Sequence, residues 1–194
     1  MNRAIDLSRT TGETEITGRL DLDGTGDARV RTGLGFLDHM IITLVKHAGF
    51  DLDFEASGDL GVDDHHTTED CAIVIGRGLD AALADRTGII RFGYGYAPLD
   101  EALVRAVVDL SGRGWPEINL AFTRETVGGV ATENLTHFFA SLAVEARMAI
   151  HVDLIRGENN HHIAEAGFKA LGLALRAAVA RSGTGIASTK GNLG

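Results

Sequence analysis

Residues 65–69 read His65-His66-Thr67-Thr68-Glu69 and residues 161–165 read His161-His162-Ile163-Ala164-Glu165, so one rare string, His-His-x-x-Glu, is written twice. Neutral imidazoles and carboxylates are ligands for borderline and hard metal ions. At this composition one such string arises by chance in roughly one chain of fifty, so two of them need a cause. Each is preceded by a further histidine: Leu37-Asp38-His39-Met40 stands ahead of the first string and Leu135-Thr136-His137-Phe138 ahead of the second. His39 and His137 are 98 residues apart, and His65 and His161 are 96 apart, about half of the 194-residue chain. A solenoid repeats every 20 to 50 residues, whereas this spacing points to the fusion of two copies of one ancestral unit.

On a helix adjacent residues point about 100° apart, while residues three or four apart share a face. His65 and His66 therefore do not chelate one ion together, but each can share an ion with Glu69, and the same holds for His161, His162 and Glu165. With His39 and His137 adding one ligand each, six histidines and two glutamates divide into two sets of four. On an octahedral ion such as Mn²⁺ four protein ligands leave two positions open, which is what catalysis requires. How the eight divide between two ions stays open. His47 and His151 lack this pairing and read as core or surface residues. Asp38, Asp63, Asp64 and Asp70 can orient imidazoles, or equally be solvated acids.

Arg91, Arg113, Lys169 and Lys190 form a second, basic constellation. Lys169 lies two helical turns beyond His161, on roughly its face, and Ser188-Thr189-Lys190-Gly191 offers hydroxyls, amides and an ammonium to an anion. The stretch from Gly183 to Gly191 does not match a P-loop. A solvated surface charge explains any one of these cations equally well.

The elements that must position these groups follow from hydrophobic period. Residues 14–22 alternate Ile16, Leu20 and Leu22 with polar positions and end at Asp23-Gly24, a strand and turn. From Phe36 to Ala48 the spacing is helical, with Gly49 as the stop, and Leu52, Phe54 and Ala56 alternate again. After the loop 58–64 a second helix carries Glu69 to Ala84, its metal residues at its N-terminal end. The second half runs in the same order: strands near 103–110 and 118–122, a helix near 135–149, a strand with Ile150, Val152 and Leu154, a loop 156–160, and a helix from about His161 to Arg181. Each half reads β-β-α-β-α. The expected fold is α+β, two such half-domains related by a pseudo-twofold with helices packed on mixed sheets. The halves are placed at 1–94 and 95–194, together one compact catalytic domain, with the junction in Arg91–Pro98, which holds two glycines and a proline. Gly167 and Gly172 point to close packing of the last helix. The tail from Ser182 is expected to be mobile until something orders it.

A net charge of −9 and a pI near 5.3 argue against nucleic acid as the main partner, since phosphate backbones call for clustered basic side chains. No apolar run approaches a membrane span. The N-terminus Met1-Asn2-Arg3-Ala4-Ile5-Asp6 lacks the apolar core of a signal peptide, so a cytoplasmic protein is expected. The one cysteine, Cys71, excludes an internal disulfide framework and thiolate-rich metal sites, and its apolar surroundings suit a buried thiol.

Gly35-Phe36-Leu37-Asp38-His39-Met40, Asp63-Asp64-His65-His66-Thr67-Thr68-Glu69-Asp70, Leu110-Ser111-Gly112-Arg113 and Glu158 to Ala170 together resemble the imidazoleglycerol-phosphate dehydratase family, in order and spacing, from about Arg9 to Gly191. The resemblance implies the ribosomal protein S5 domain 2-like fold and an enzyme of histidine biosynthesis that removes water from imidazole glycerol phosphate to give imidazole acetol phosphate. It implies two Mn²⁺ ions per subunit on His39, His65, His66, Glu69, His137, His161, His162 and Glu165. Phosphate contacts fall to Arg91, Arg113, Lys169, Ser188 and Lys190, and the assembly to a homo-oligomer of 24 subunits built from trimers, with ligands drawn from more than one subunit. Glu13 matches a family glutamate at the substrate. Gly12, where a lysine is common, and Tyr94-Gly95-Tyr96-Ala97 depart from the family pattern. The length leaves no room for the phosphatase domain that some members carry.

The hydrogen lost in that reaction sits on a carbon with no carbonyl beside it, so it is not acidic until electrons have somewhere to go. Metal ions on the imidazole nitrogens provide that sink, and Glu13, Glu69 or Glu165 can then act as the base. Two other readings compete: a dinuclear metallohydrolase, which predicts phosphate release from simple esters, and a metal-storage protein, which has no need of a phosphate clamp.

Overall fold

The computed structural model describes residues 3–193. The described residues form two four-stranded sheets, one two-stranded sheet and four helices. The first half holds β1 (Ala4–Thr10), β2 (Thr14–Asp21), β3 (Ala28–Arg31), α1 (Gly35–Ala48), β4 (Asp51–Gly58) and α2 (His65–Leu83). The second holds β5 (Phe92–Leu99), β6 (Ala102–Asp109), β7 (Trp115–Asn119), a short hairpin β8 (Thr126–Val127) and β9 (Val130–Ala131), then α3 (Thr132–Glu145), β10 (Ala149–Arg156) and α4 (Asn160–Ala178). The sheet orders, β1-β2-β4-β3 and β5-β6-β10-β7, are the same order written twice, each with two antiparallel pairings and one parallel one.

Strand register fixes the correspondence residue by residue. Leu20 pairs Leu52 in the first sheet and Val108 pairs Ile150 in the second, so β1–β3 map onto β5–β7 at an offset of 88 and β4 onto β10 at 98. The extra ten residues lie in the segment that carries β8 and β9. Between β10 and His161 there are two fewer residues than between β4 and His65, which returns the offset to 96.

Each half has one strand more than the β-β-α-β-α read for it, and in the first half the sequence pattern locates neither β1 nor β3, because the outer strands carry little apolar alternation. β1 buries one side chain well, Leu7. β5 lies in Arg91–Pro98, the stretch read from its glycines as the junction. It is instead a strand of the second sheet, and the change of sheet falls between α2 and β5. Those glycines face inward, where α4 lies directly on the strand. A Cβ on Gly93 would stand 1.9 Å from the carbonyl oxygen of Ala174, and one on Gly95 2.3 Å from that of Ala170.

The helices cross between halves: α1 packs on α4 and α2 on α3, so both halves share one core. Two equivalent glycines permit the crossings. A methyl on Gly76 of α2 would meet Glu145 Cβ of α3 at 2.8 Å, and one on Gly172 of α4 would meet the Leu44 carbonyl of α1 at 2.6 Å. Gly167 makes no such approach, since a Cβ there would meet its neighbours at 3.5 Å, an ordinary contact. Gly49 ends α1 in the left-handed region (φ 74°), as its sequence position predicts. Cys71 is buried, which pushes its thiol up. Among the described residues no helix is long and apolar enough to cross a membrane.

Candidate metal centres and anion pocket

The helix crossings bring the duplicated ligands together in two triads. At the α1–α4 seam His39, His161 and Glu165 offer ligand atoms within 4.8 Å of one another, and at the α2–α3 seam His65, Glu69 and His137 do the same. Each triad takes its single histidine from one half and its His-x-x-x-Glu pair from the other. His39 Nε2 lies 3.2 Å and His161 Nε2 3.3 Å from Glu165 Oε2. In the second triad His137 Nε2 lies 2.9 Å from Glu69 Oε1 and His65 Nε2 3.9 Å from Glu69 Oε2. Within one chain the sets are therefore of three, not four. The first histidine of each string belongs to the triad because it stands four residues before the glutamate, on its face.

His66 and His162 turn the other way, as adjacent helical residues must. His66 Nδ1 is held by Asp59 at 3.0 Å, which raises its pKa above the usual imidazole range, and its Nε2 approaches Glu13 at 3.6 Å. His162 Nδ1 is held by Glu101 at 2.7 Å, again raising its pKa, and its Nε2 lies 3.8 Å from Asp100. The same contact, with help from the amide of Asn159, holds the Glu101 carboxyl down at about 2. His65 Nδ1 bonds to Asn134 Oδ1 at 2.9 Å. Three imidazoles are thus fixed through Nδ1 with Nε2 turned outward, the arrangement by which a protein presents imidazole to a metal.

The groups that hold these rings are Asp59, Glu101 and Asn134, none of which the sequence singled out. The aspartates it did single out hold backbone or other side chains. Asp38 takes the Thr32 amide at 2.7 Å, Asp63 the His65 amide at 2.8 Å and Asp64 the Ala131 amide at 2.8 Å, while Asp70 pairs with Arg9 at 2.9 Å and bonds Thr14. Only Glu101 left a trace in the chain: it immediately precedes its strand as Glu13 does, and reading it needs the strand register.

Glu165 is further bonded by Lys169 Nζ at 2.7 Å. Burial opposes its ionisation, but the hydrogen bonds from Lys169 and His39 outweigh that and lower its pKa. Glu13, in the β1–β2 turn, is 54% exposed, and among the described residues its carboxylate takes no hydrogen bond.

Arg91, Arg113, Ser188 and Lys190 line a cleft of about 540 Å³. Arg91 sits in the left-handed region (φ 76°), a conformation that costs on the order of 1–3 kcal/mol and is kept where the surroundings impose it. Its guanidinium forks onto Asp109 at 2.7 and 3.0 Å and donates to the Ala187 carbonyl at 2.6 Å, which ties the tail to β5. The tail expected to be mobile is thereby laid over residues 88–91, with the Gly88 amide donating to Gly185. Lys169 is not in this cleft. The Arg91 amide bonds to Ala178 at the end of α4, whereas His161 and His162 begin that helix. At 1.5 Å per residue the two ends stand about 25 Å apart.

A family model described as imidazoleglycerol-phosphate dehydratase matches residues 32–175. A protein of that name from Phytophthora nicotianae is 54% identical over 98% of this chain, which spans 42% of its length. One from Salinibacter ruber is 49% identical over 98% of this chain and 96% of its own. The crystal structure of imidazoleglycerol-phosphate dehydratase from Staphylococcus aureus superposes with a TM-score of 0.84 at 39% identity, covering 92% of this chain and 99% of that one.

Proposed function

The chain belongs to the imidazoleglycerol-phosphate dehydratase family, and from that premise we propose that it dehydrates D-erythro-imidazole glycerol phosphate to imidazole acetol phosphate in cytoplasmic histidine biosynthesis, using two Mn²⁺ ions per subunit. The observation that carries this reading is the pair of equivalent His-His-Glu triads, with His65 of one triad fixed through Nδ1 by Asn134. Imidazole with carboxylate suits Mn²⁺, and also Zn²⁺, Fe²⁺ and Co²⁺. His39, His161 and Glu165 would hold one ion and His65, Glu69 and His137 the other, with His66 and His162 completing the sets. When bound, such an ion supplies Lewis acidity that draws electrons out of the substrate's imidazole ring.

The remaining work falls to the chain's own side chains. A carboxylate must take the carbon-bound proton, the C–H electron pair forms the new double bond as the neighbouring C–O bond breaks, the proton passes to the departing hydroxide to give water, and the resulting enol ketonises. Glu13 is suited to that proton, being exposed and 3.6 Å from its nearest histidine nitrogen, whereas Glu69 and Glu165 take histidine hydrogen bonds at 2.9 and 3.2 Å. Arg91, Arg113, Ser188 and Lys190 offer the substrate phosphate two guanidinium groups, a hydroxyl and an ammonium.

A substrate of this size cannot span the ~25 Å of α4 between the cation cleft and His161. Among the described residues the triads also lack a fourth ligand, while His66 and His162 turn their Nε2 atoms towards Glu13 and Asp100. Both observations support a site completed by another copy. The outer face of the second sheet suits such a copy, because Phe92, Tyr94 (72% exposed), Tyr96, Val107, Trp115 (63%) and Ile155 are exposed. They present on the order of 600 Å² of mostly apolar surface, close to the ~800 Å² per partner of a stable interface. The resemblance supplies the count of 24.

The test is turnover of imidazole glycerol phosphate by chelator-stripped protein given Mn²⁺, with bound metal counted on the same sample. Restored dehydration at about two ions per chain is expected. Metal uptake without product would favour storage, and phosphate release from simple esters a hydrolase.

A further inference from the structure

Glu13 and Glu101 occupy the same place in the duplicated fold, each immediately before the strand that register equates, β2 and β6. They face equivalent histidines, His66 and His162, but on opposite nitrogens. Glu101 takes the Nδ1 side of His162 at 2.7 Å, and its other oxygen accepts the amides of Asn159 at 2.9 Å and Glu158 at 3.3 Å. Glu13 approaches the Nε2 side of His66, whose Nδ1 is already taken by Asp59.

Asp59 directly follows β4, and its counterpart directly after β10 is Gly157. No side chain fits there: a Cβ on Gly157 would stand 2.8 Å from Ala102 Cβ and 2.9 Å from Ala102 Cα, and the backbone is at φ 142°. The second half therefore cannot hold its histidine from that position, and the turn glutamate does so instead.

We propose that the two turn glutamates have divided one ancestral position between two duties: Glu101 is a positioning residue that sets the tautomer of His162, and Glu13, relieved of that duty by Asp59, is the one left free for the substrate. Asp59 and Glu101 are then functional equivalents from non-equivalent positions. A carboxylate on Nδ1 keeps the proton there and leaves the Nε2 lone pair for a metal. The proposal rests on the metal-dependent reading above, and its test includes a readout that needs no metal.

Three variants separate the duties. Glu101→Gln keeps one oxygen for the amides that start α4 but turns an NH₂ towards His162, so helix capping survives while tautomer control is lost. Asp59→Asn removes the carboxylate charge that both Asp59 oxygens present to His66 Nδ1, at 3.0 and 3.2 Å. Glu13→Gln touches neither Nδ1. In metal-free protein the imidazole ¹⁵N resonances of His162 should move from the Nδ1-protonated to the Nε2-protonated pattern in Glu101→Gln, and those of His66 in Asp59→Asn. With Mn²⁺ added, each of these two variants should lose about ten- to a hundredfold in affinity at one of two sites. Glu13→Gln should bind Mn²⁺ within about twofold of wild type while turnover collapses. An unchanged His162 tautomer in Glu101→Gln, or a loss of metal from Glu13→Gln equal to that from Glu101→Gln, overturns the division of duties. Failure of the wild type to dehydrate substrate with Mn²⁺ would instead overturn the dehydratase reading and leave the tautomer result standing.

Discussion

At the α1–α4 seam Glu165 shares its oxygens among His39, His161 and Lys169, and Phe36 packs edge-on against His161 with ring centroids 5.1 Å apart. At the α2–α3 seam the same three ligand types meet, but Ile73 stands where register places Lys169 and Asn134 where it places Phe36. There Asn134 bonds His65, and Ser141 Oγ lies 3.3 Å from His137 Nε2. The two centres bring the same three ligand types together and differ in several of the side chains around them. Duplication kept what a metal needs, three atoms at one helix crossing, and left charge and polarity free to diverge.

The same divergence runs through the halves beyond the ligands. Arg9, Thr14 and Asp70 form a largely buried polar cluster in the first half, and register places Ala97, Ala102 and Ala166 in their stead in the second. On the outer sheet faces, Asp6, Arg19 and Asp53 occupy the row that Tyr94, Val107 and His151 occupy in the second sheet. One face carries a row of alternating charges, and the other sets aromatic and aliphatic side chains beside the Arg105–Asp153 pair and His151.

If the triads are truly equivalent, His65→Ala and His161→Ala should each lose one ion per chain and lower turnover by more than about a hundredfold. Either variant keeping two ions and full activity in a metal-count and turnover assay would break the equivalence. The polar cluster should be a liability of the first half alone. Asp70→Ala leaves Arg9 without its partner and should cost about 2–3 kcal/mol in urea unfolding, allowing for Arg9's partial contact with water. Adding Arg9→Met should return most of that loss, because an apolar pair is what the second half uses at this site. The smallest effect expected is on assembly. Tyr94→Asp, which copies Asp6 onto the second face, should weaken association by about 2 kcal/mol or more per interface. Sedimentation would show a lighter species, and an unchanged assembly would remove this face from the copy–copy contact.

The chain by itself picked out the eight candidate ligands, the half-chain period and the order of the central elements, because a duplicated motif and the periods of helix and inner strand are local patterns. It also placed Arg91, Arg113, Ser188 and Lys190 in one group, which the structure gathers in one cleft, while Lys169, grouped with them, joins Glu165 instead. The outer strands β1 and β5 escaped the sequence, since their alternation is carried by glycine or by a single buried leucine. Only the tertiary structure decided that each triad crosses between halves, that His66 and His162 fall outside the triads, and that Asp59, Glu101 and Asn134 hold the rings. Those are contacts between residues as many as 126 positions apart, brought together where glycines let helices cross, and no local period in the chain encodes them.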